Sequence, residues 1–221
     1  MTSPRDKVVD AMLELAASRD FGEATLSDIA HRAGISLADL RDLFPSKGAI
    51  VGGFTRRIDR QVLEGLAGVN LTEPARERLQ AVLAKRLEAL EPYRASIASI
   101  VKWSKADPLM LTALNREVVN SMRYMLEAAD MESDGPVGAL KLQGLSLAWS
   151  RVIDAWLAGD RVDGLNAIEK ELARGERWVG HAEELERLTR PARDMFSKLI
   201  DFAGGRSRDK TTDDDYPHPH A

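Results

Sequence analysis

The stretch from Thr25 to Ile50, TLSDIAHRAGISLADLRDLFPSKGAI, constrains the fold of this chain more than any other part of it. It reads as two short helices joined by a tight turn. Thr25 or Ser27 can cap the first helix, which runs to Ala33 with Leu26, Ile29 and Ala30 facing inward. Gly34 supplies the positive φ that a tight turn needs. Ser36 restarts the chain, and Asp39, three residues on, is the acidic half of a capping box. Leu37, Leu40, Leu43 and Phe44 make the inward side of the second helix, and Pro45 stops it. A small residue (Ala30) where two helices cross, a glycine four positions later and an apolar plug (Ile35) behind it are the parts of a helix-turn-helix. Such a motif presents the N-terminal half of its second helix to the major groove of DNA.

The surrounding pattern is helical as well. Residues 4–19 carry a wide apolar face behind Ser3 and Pro4, a capping residue followed by a first-turn proline. Ser46 can cap a long fourth helix in which Ile50, Phe54, Ile58, Val62, Leu66 and Val69 recur every three or four residues. Further helices are expected near 73–91, 92–105, 107–130, 137–159, 163–180 and 181–203. No sustained alternation of β-branched and aromatic residues marks a strand, so the expected fold class is all-α. The expected division is a helix-turn-helix domain over 1–60, a C-terminal helical domain over 61–204 and a disordered tail over 205–221, where apolar residues almost vanish.

The composition excludes several chemistries. The chain has no cysteine, hence no disulfide, thiolate nucleophile or Cys-ligated metal; this fits a reducing cytoplasm. The N-terminus lacks an apolar signal core, and no run approaches the roughly 20 apolar residues of a membrane span. A cytoplasmic protein without membrane partner is expected. Neither a metal-binding histidine pair, a glycine-rich phosphate loop nor a nucleophile elbow occurs, so no cofactor, metal or enzymatic activity is expected. The net charge is −4, and residues 1–60 hold nine basic and nine acidic side chains. A neutral head is unusual for a DNA binder, because affinity derives largely from phosphate neutralisation. Asp39 can serve as a cap or accept from a cytosine amine; Arg41 can meet a phosphate or read a guanine; Asp42 gains nothing beside a phosphate. His31 is placed to reach a phosphate.

Thr25, Ile29, Ala30, Ala33, Gly34, Ile35, Ser36, Leu40, Phe44, Ser46, Lys47 and Ile50 together resemble the TetR family of transcriptional regulators over about residues 5–60. The resemblance implies a three-helix DNA-binding head, a linking fourth helix, and an all-helical C-terminal part that binds a small ligand and dimerises. It implies phosphate contacts from Thr25 and Ser27, a recognition surface bearing Ser36, Leu37, Asp39 and Arg41, and a phosphate contact from Lys47 at a helix start. The family usually has tyrosine where this chain has Arg41. With arginine there, the segment is also similar to a TetR-fold lipid-binding protein of ubiquinone biosynthesis, which does not act as a regulator. Two functions therefore remain open: a repressor that binds operator DNA as a homodimer and is released by a ligand, or a lipid- or isoprenoid-binding protein on the same fold.

The C-terminal part supplies candidates for both. Helix 137–159 has a narrow side (Gly144, Ala148, Ala155) and a bulky one (Leu142, Leu145, Trp149, Val152, Ile153, Trp156). Paired with 163–180, it could meet a symmetry mate or pack as the core of one monomer; the resemblance implies the homodimer. Trp103, Met110, Leu114, Met122, Met125 and Trp149 are candidates to line a cavity for an apolar or amphipathic ligand. Arg94, Lys102 and Arg123 are candidates to meet an acidic head group.

Overall fold

The computed structural model describes residues 3–66, 72–106 and 108–177. The helix expected at 181–203 and the tail at 205–221 lie outside the described residues. Among those residues there is no strand: the elements are α1 (Pro4–Ser18), α2 (Leu26–Ala33), α3 (Leu37–Leu43), α4 (Lys47–Glu64), α5 (Ala75–Leu90), a single 3-10 turn (Glu91–Tyr93), α6 (Arg94–Ala106), α7 (Pro108–Ala128) and α8 (Gly135–Ala158), followed by α9 over residues 161–177. Contacts divide the chain at Gly175 into two units, and the second, from Glu176 on, is described only for residues 176 and 177.

The first four helices begin where short polar side chains replace the missing backbone partners of a helix start. Ser3 accepts from the Asp6 amide, Thr25 from Asp28, Ser36 from Asp39 and Ser46 from Ala49. Each such cap stabilises its helix by about 1 kcal/mol. Gly34 ends α2 at φ 67°, and the Ile35 amide donates back to Ala30 O at 3.1 Å, closing the turn of a Schellman-type ending.

One continuous apolar core runs through the first unit. Val8, Met12, Ile29, Leu40, Phe44, Ile50 and Ile58 of the first four helices are buried in the same cluster as Leu87, Met122, Met125, Leu126 and Trp156. Long-range hydrogen bonds fix α1 to α6: Ser96 Oγ donates to Leu13 O at 2.8 Å and the Phe21 amide donates to Ser99 Oγ at 2.9 Å. α4 lies between head and bundle, and it is thinned there by two glycines. A Cβ on Gly53 would stand 2.9 Å from the Phe44 ring, and one on Gly52 would stand 2.9 Å from the Glu117 carboxylate of α7. Glycine inside a helix costs roughly 0.5–1 kcal/mol against alanine; here it permits close approach on two sides.

Two arginines act as staples inside the bundle. Arg78 donates to Glu73 O at 2.7 Å, Ala129 O at 2.8 Å and Asp130 O at 3.2 Å, joining the start of α5 to the end of α7. Arg94 donates to Trp156 O at 2.9 Å, Leu157 O at 3.2 Å and Gly159 O. It thus satisfies carbonyls that the end of α8 leaves open, and does not face a ligand head group as expected from its charge.

Candidate nucleic-acid interface and ligand cavity

The helix-turn-helix is built by two successive capping boxes. Thr25 Oγ1 accepts from the Asp28 amide at 3.1 Å, while Asp28 Oδ2 accepts from the Thr25 amide and hydroxyl, both at 2.8 Å. Arg19 adds an ion pair to the same carboxylate at 2.7 Å. The backbone and side-chain hydrogen bonds of Thr25, with Arg19, hold the Asp28 carboxyl down at about 2. Ser36 and Asp39 repeat the arrangement one helix later: Ser36 Oγ accepts from the Asp39 amide at 3.0 Å, and Asp39 Oδ2 accepts from the Ser36 hydroxyl at 2.6 Å and its amide at 3.2 Å. These bonds, the hydroxyl's first, hold the Asp39 carboxyl below its ordinary value. One oxygen of Asp39 is therefore engaged inside its own helix start.

The outward face then carries Thr25, Ser27, His31, Ser36, Leu37, Asp39, Arg41 and Asp42, all exposed. Periodicity groups Leu37 with the inward side of its helix, yet it is 51% exposed, while Leu40 and Phe44 are buried. As the first residue of a seven-residue helix, it precedes the turn that packs on the core.

Lys47 departs from its expected phosphate contact. Its Nζ donates to Phe21 O and Ala24 O, both at 2.7 Å, and lies 4.5 Å and 4.8 Å from the Phe21 and Trp103 ring centroids. Burial, more than any charge, lowers its pKa. The side chain folds inward because two loop carbonyls and two aromatic faces compensate it better than its own helix start does.

A cavity of about 230 Å³ opens among α4, α5, α6, α7 and α8. Phe54, Leu90, Ile97, Ile100, Leu114 and Trp149 supply much of its apolar wall, and Arg86 is part of that wall. The Arg86 side chain is 5% exposed. Its Nη1 donates to Asp59 Oδ1 of α4, and Ser121 Oγ of α7 donates to the same oxygen at 2.7 Å. The guanidinium also lies 5.4 Å from the Trp149 ring centroid. Its Nε is buried without a hydrogen-bond partner.

This arrangement has relatives. No family model matches the chain. It is 32% identical over 111 residues to the HTH-type transcriptional regulator AlkX of Mycobacterium tuberculosis, covering 50% of this chain and 46% of that protein. It is 29% identical over 96 residues to the HTH-type transcriptional regulator BetI of Brucella anthropi, covering 43% and 50%. The chain thus spans about half the length of the curated relatives it matches. A TetR transcriptional regulator from Rhodococcus sp. RHA1 superposes with a TM-score of 0.57 at 25% identity, over 76% of this chain and 96% of that one. The chain is TetR-like. A TetR regulator from Nitrosomonas europaea (TM-score 0.57, 22% identity, 77% and 96% covered) and one from Streptomyces coelicolor (0.53, 16%, 90% and 99%) share the fold.

Within this TetR-like frame the cavity collects only two of the six side chains singled out for it. Leu114 and Trp149 line it. Trp103 instead stacks edge-on against Phe21 at 5.0 Å, and the Met110 sulfur stands 3.7 Å from where a Cβ on Gly48 would lie. Met122 and Met125 are fully buried in the core. Lys102 pairs with Asp20 at 2.6 Å and Arg123 with Asp134 at 3.0 Å, so neither candidate head-group cation is turned to the cavity. The residue that sequence reasoning missed is Arg86. A signal was available: Leu79, Val82, Leu83, Arg86, Leu87 and Leu90 follow the i, i+3, i+4, i+7 rule, which puts a charge on the buried stripe of α5.

Proposed function

We propose that this chain is a transcriptional repressor that binds operator DNA as a homodimer and is released by a small ligand bound in the α4–α8 cavity. The observation that carries this reading is the exposed first turn of α3. Leu37 is an apolar side chain set out in solvent beside Ser36 and Arg41, where a recognition helix meets base edges. An apolar contact suits a thymine methyl and an arginine suits guanine. The acids weaken this face less than their number suggests, because Asp28 is ion-paired to Arg19 and Asp39 sits at its own helix start, where the positive end of the helix dipole offsets part of its charge. The proposed division of labour follows the sequence: 1–60 reads DNA, and 61–204 binds ligand and dimerises.

A homodimer through α8 and α9 is supported by the outer side of α8. Leu140 and Leu147 are 61% and 54% exposed, and no atom lies within 4 Å of a Cβ built on Gly144 between them. Val162 on α9 is 60% exposed. The bulky side (Leu142, Leu145, Trp149, Val152, Trp156) is buried. An apolar strip with a small residue at its centre fits an isologous helix pair. No helix of the described residues is long and apolar enough to cross a membrane, and a cytoplasmic site of action is part of the proposal.

The test is selection of genomic fragments by the purified protein, followed by affinity against salt. Enrichment of a sequence with two related half-sites, lost with Leu37→Ala and Arg41→Ala and falling steeply with salt, supports the reading. Sequence-independent binding alone overturns it. The second reading, a lipid- or isoprenoid-binding protein that does not touch DNA, is favoured by the inward turn of Lys47 and the exposed Asp42. It predicts no enriched fragment and a co-purifying lipid in the solvent extract.

A further inference from the structure

We infer that the cavity takes a small uncharged amphipathic molecule: an apolar chain or ring ending in a head that donates a hydrogen bond, such as a hydroxyl or a primary amide. The apolar part lies inward, and the head stands at the mouth against Asn115 and Ser150. The inference rests on the ligand-binding part of the reading above and names the class of ligand.

Three observations carry it. First, the wall changes character along its depth. Phe54, Ile97, Ile100 and Trp149 are buried, whereas Lys105, Asn115, Ser150 and Asp154 of the same wall are exposed. A molecule entering there gains by burying an apolar part and leaving a polar one outside. The Arg86 guanidinium takes no part, since it is held to Asp59. Second, the polar lining offers more acceptors than free donors. The hydroxyls of Thr55, Ser104 and Ser150 line the cavity, and each already donates within its own helix, to Val51 O at 3.2 Å, Val101 O at 2.9 Å and Ser146 O at 3.0 Å. Such an oxygen still offers lone pairs but no proton. The Asn115 amide is exposed on α7 and has no partner among the described residues; it can both donate and accept. A head with its own O–H or N–H can use all four of these side chains. An oxygen that only accepts can use Asn115 and none of the three hydroxyls. Third, the charges of the mouth cancel. Lys105 Nζ meets Asp154 Oδ1 at 2.8 Å, so a carboxylate head is opposed by Asp154 and an ammonium by Lys105.

Three helices meet at this mouth: Lys105 comes from α6, Asn115 from α7, and Ser150 and Asp154 from α8, one turn apart. A head held by Asn115 and Ser150 joins α7 to α8 beside the ion pair that joins α6 to α8. The cavity, at about 230 Å³, lies below the roughly 300–1,000 Å³ typical of drug-sized ligands, which limits the apolar part to a short chain or a single ring.

The experiment is calorimetric titration of the full chain, without DNA, with n-octanol, its isomer heptyl methyl ether, octanoate and octylammonium. The two isomers are alike in size and apolar content and differ in the O–H proton. Octanol is expected to bind about three- to tenfold more tightly than the ether, the worth of one neutral hydrogen bond, and more tightly than either ion. Equal binding of the ether overturns the donor assignment. Octanoate or octylammonium binding as tightly as octanol overturns the uncharged one. The double variant Asn115→Leu with Ser150→Ala changes two exposed positions. It should erase the preference of alcohol over ether while the circular dichroism spectrum stays unchanged; a retained preference refutes the placement of the head. Leu114→Trp, which fills the inner part, should abolish binding of every probe; unchanged binding places them elsewhere and overturns the inference. If the isomers bind equally and Leu114→Trp abolishes both, the head assignment falls and the ligand-binding reading stands. If no probe binds, both fall. Because DNA is absent, the operator reading is judged separately, by fragment selection.

Discussion

The two ends of the molecule solve the same problem in opposite ways. In the helix-turn-helix, a polar group finds its partner three residues along the chain: Thr25 with Asp28, Ser36 with Asp39. In the bundle, the partner of Arg86 is Asp59, 27 residues away on α4, and Asp59 in turn meets Ser121, 62 residues further along the chain. The first kind of pairing is bonded locally and survives wherever its helix forms. The second exists only when three helices have already packed. Local pairs should therefore be cheap to lose and independent of one another, and the buried triad costly and coupled.

The largest effect that would sharpen this contrast is Arg86→Met alone. It strands Asp59 in the core, and unfolding in urea should show a loss of about 3–5 kcal/mol. The paired Asp59→Asn/Arg86→Met variant should recover most of it. If the single and paired variants are equally unstable, the triad is not coupled and the comparison fails.

Gly53→Val comes next. Its Cβ would fall within 2.9 Å of the Phe44 ring, and overpacking of this kind costs about 1–3 kcal/mol. Gly144→Ala, where an added Cβ would meet no other part of its own protomer within 4 Å, should be neutral or stabilise the single protomer by up to about 1 kcal/mol, measured at a dilution where the proposed dimer has dissociated. Thermal midpoints of the two variants moving in the same direction would break the assignment of Gly53 to a close contact.

What could be read from the sequence follows the same division. α1, expected at 4–19, ends at Ser18, and the helix expected at 137–159 runs from Gly135 to Ala158. Helix starts and stops depend on residues within one turn, so the capping serines and threonine, Gly34 and Pro45 sufficed. The break at Pro92 is a 3-10 turn leading straight into α6, a distinction that depends on packing. The exposed face of the head was equally legible, except for Leu37, which periodicity turns inward although it is exposed, and for Lys47, whose fate was decided by Phe21 and Trp103. The cavity was not legible. Met122 and Met125 sit at helical spacing and were as good candidates as Leu114, yet they point into the solid core. Which apolar residue borders a void depends on how five helices cross, and no single helix carries that information.

Smaller effects belong to the caps. Ser36→Ala should cost about 1 kcal/mol, and combined with Thr25→Ala the losses should add; strong non-additivity would show that the two boxes are not independent. The smallest effect is one of pH. Asp28 has its folded value lowered to about 2 from 3.8, so its contribution is fully present above the ordinary carboxylate range and fades as pH falls toward 2. Chemical-shift titration of the Thr25 amide should follow that fall. A midpoint near the ordinary value would mean that the carboxylate is not held by its helix start.

Two tryptophans of the bundle stand beside cations: Trp103 of α6 under Lys47 at the edge of the head, and Trp149 of α8 by Arg86 in the cavity wall. Of the four tryptophans of the chain, these two stand at separate stations, where a change in the distance of the neighbouring charge would alter their emission. The difference in emission between the full chain and Trp103→Phe or Trp149→Phe, with Trp156 and Trp178 common to all three, would say whether the Lys47 clamp or the cavity wall moves first when a ligand arrives, and by how long it leads.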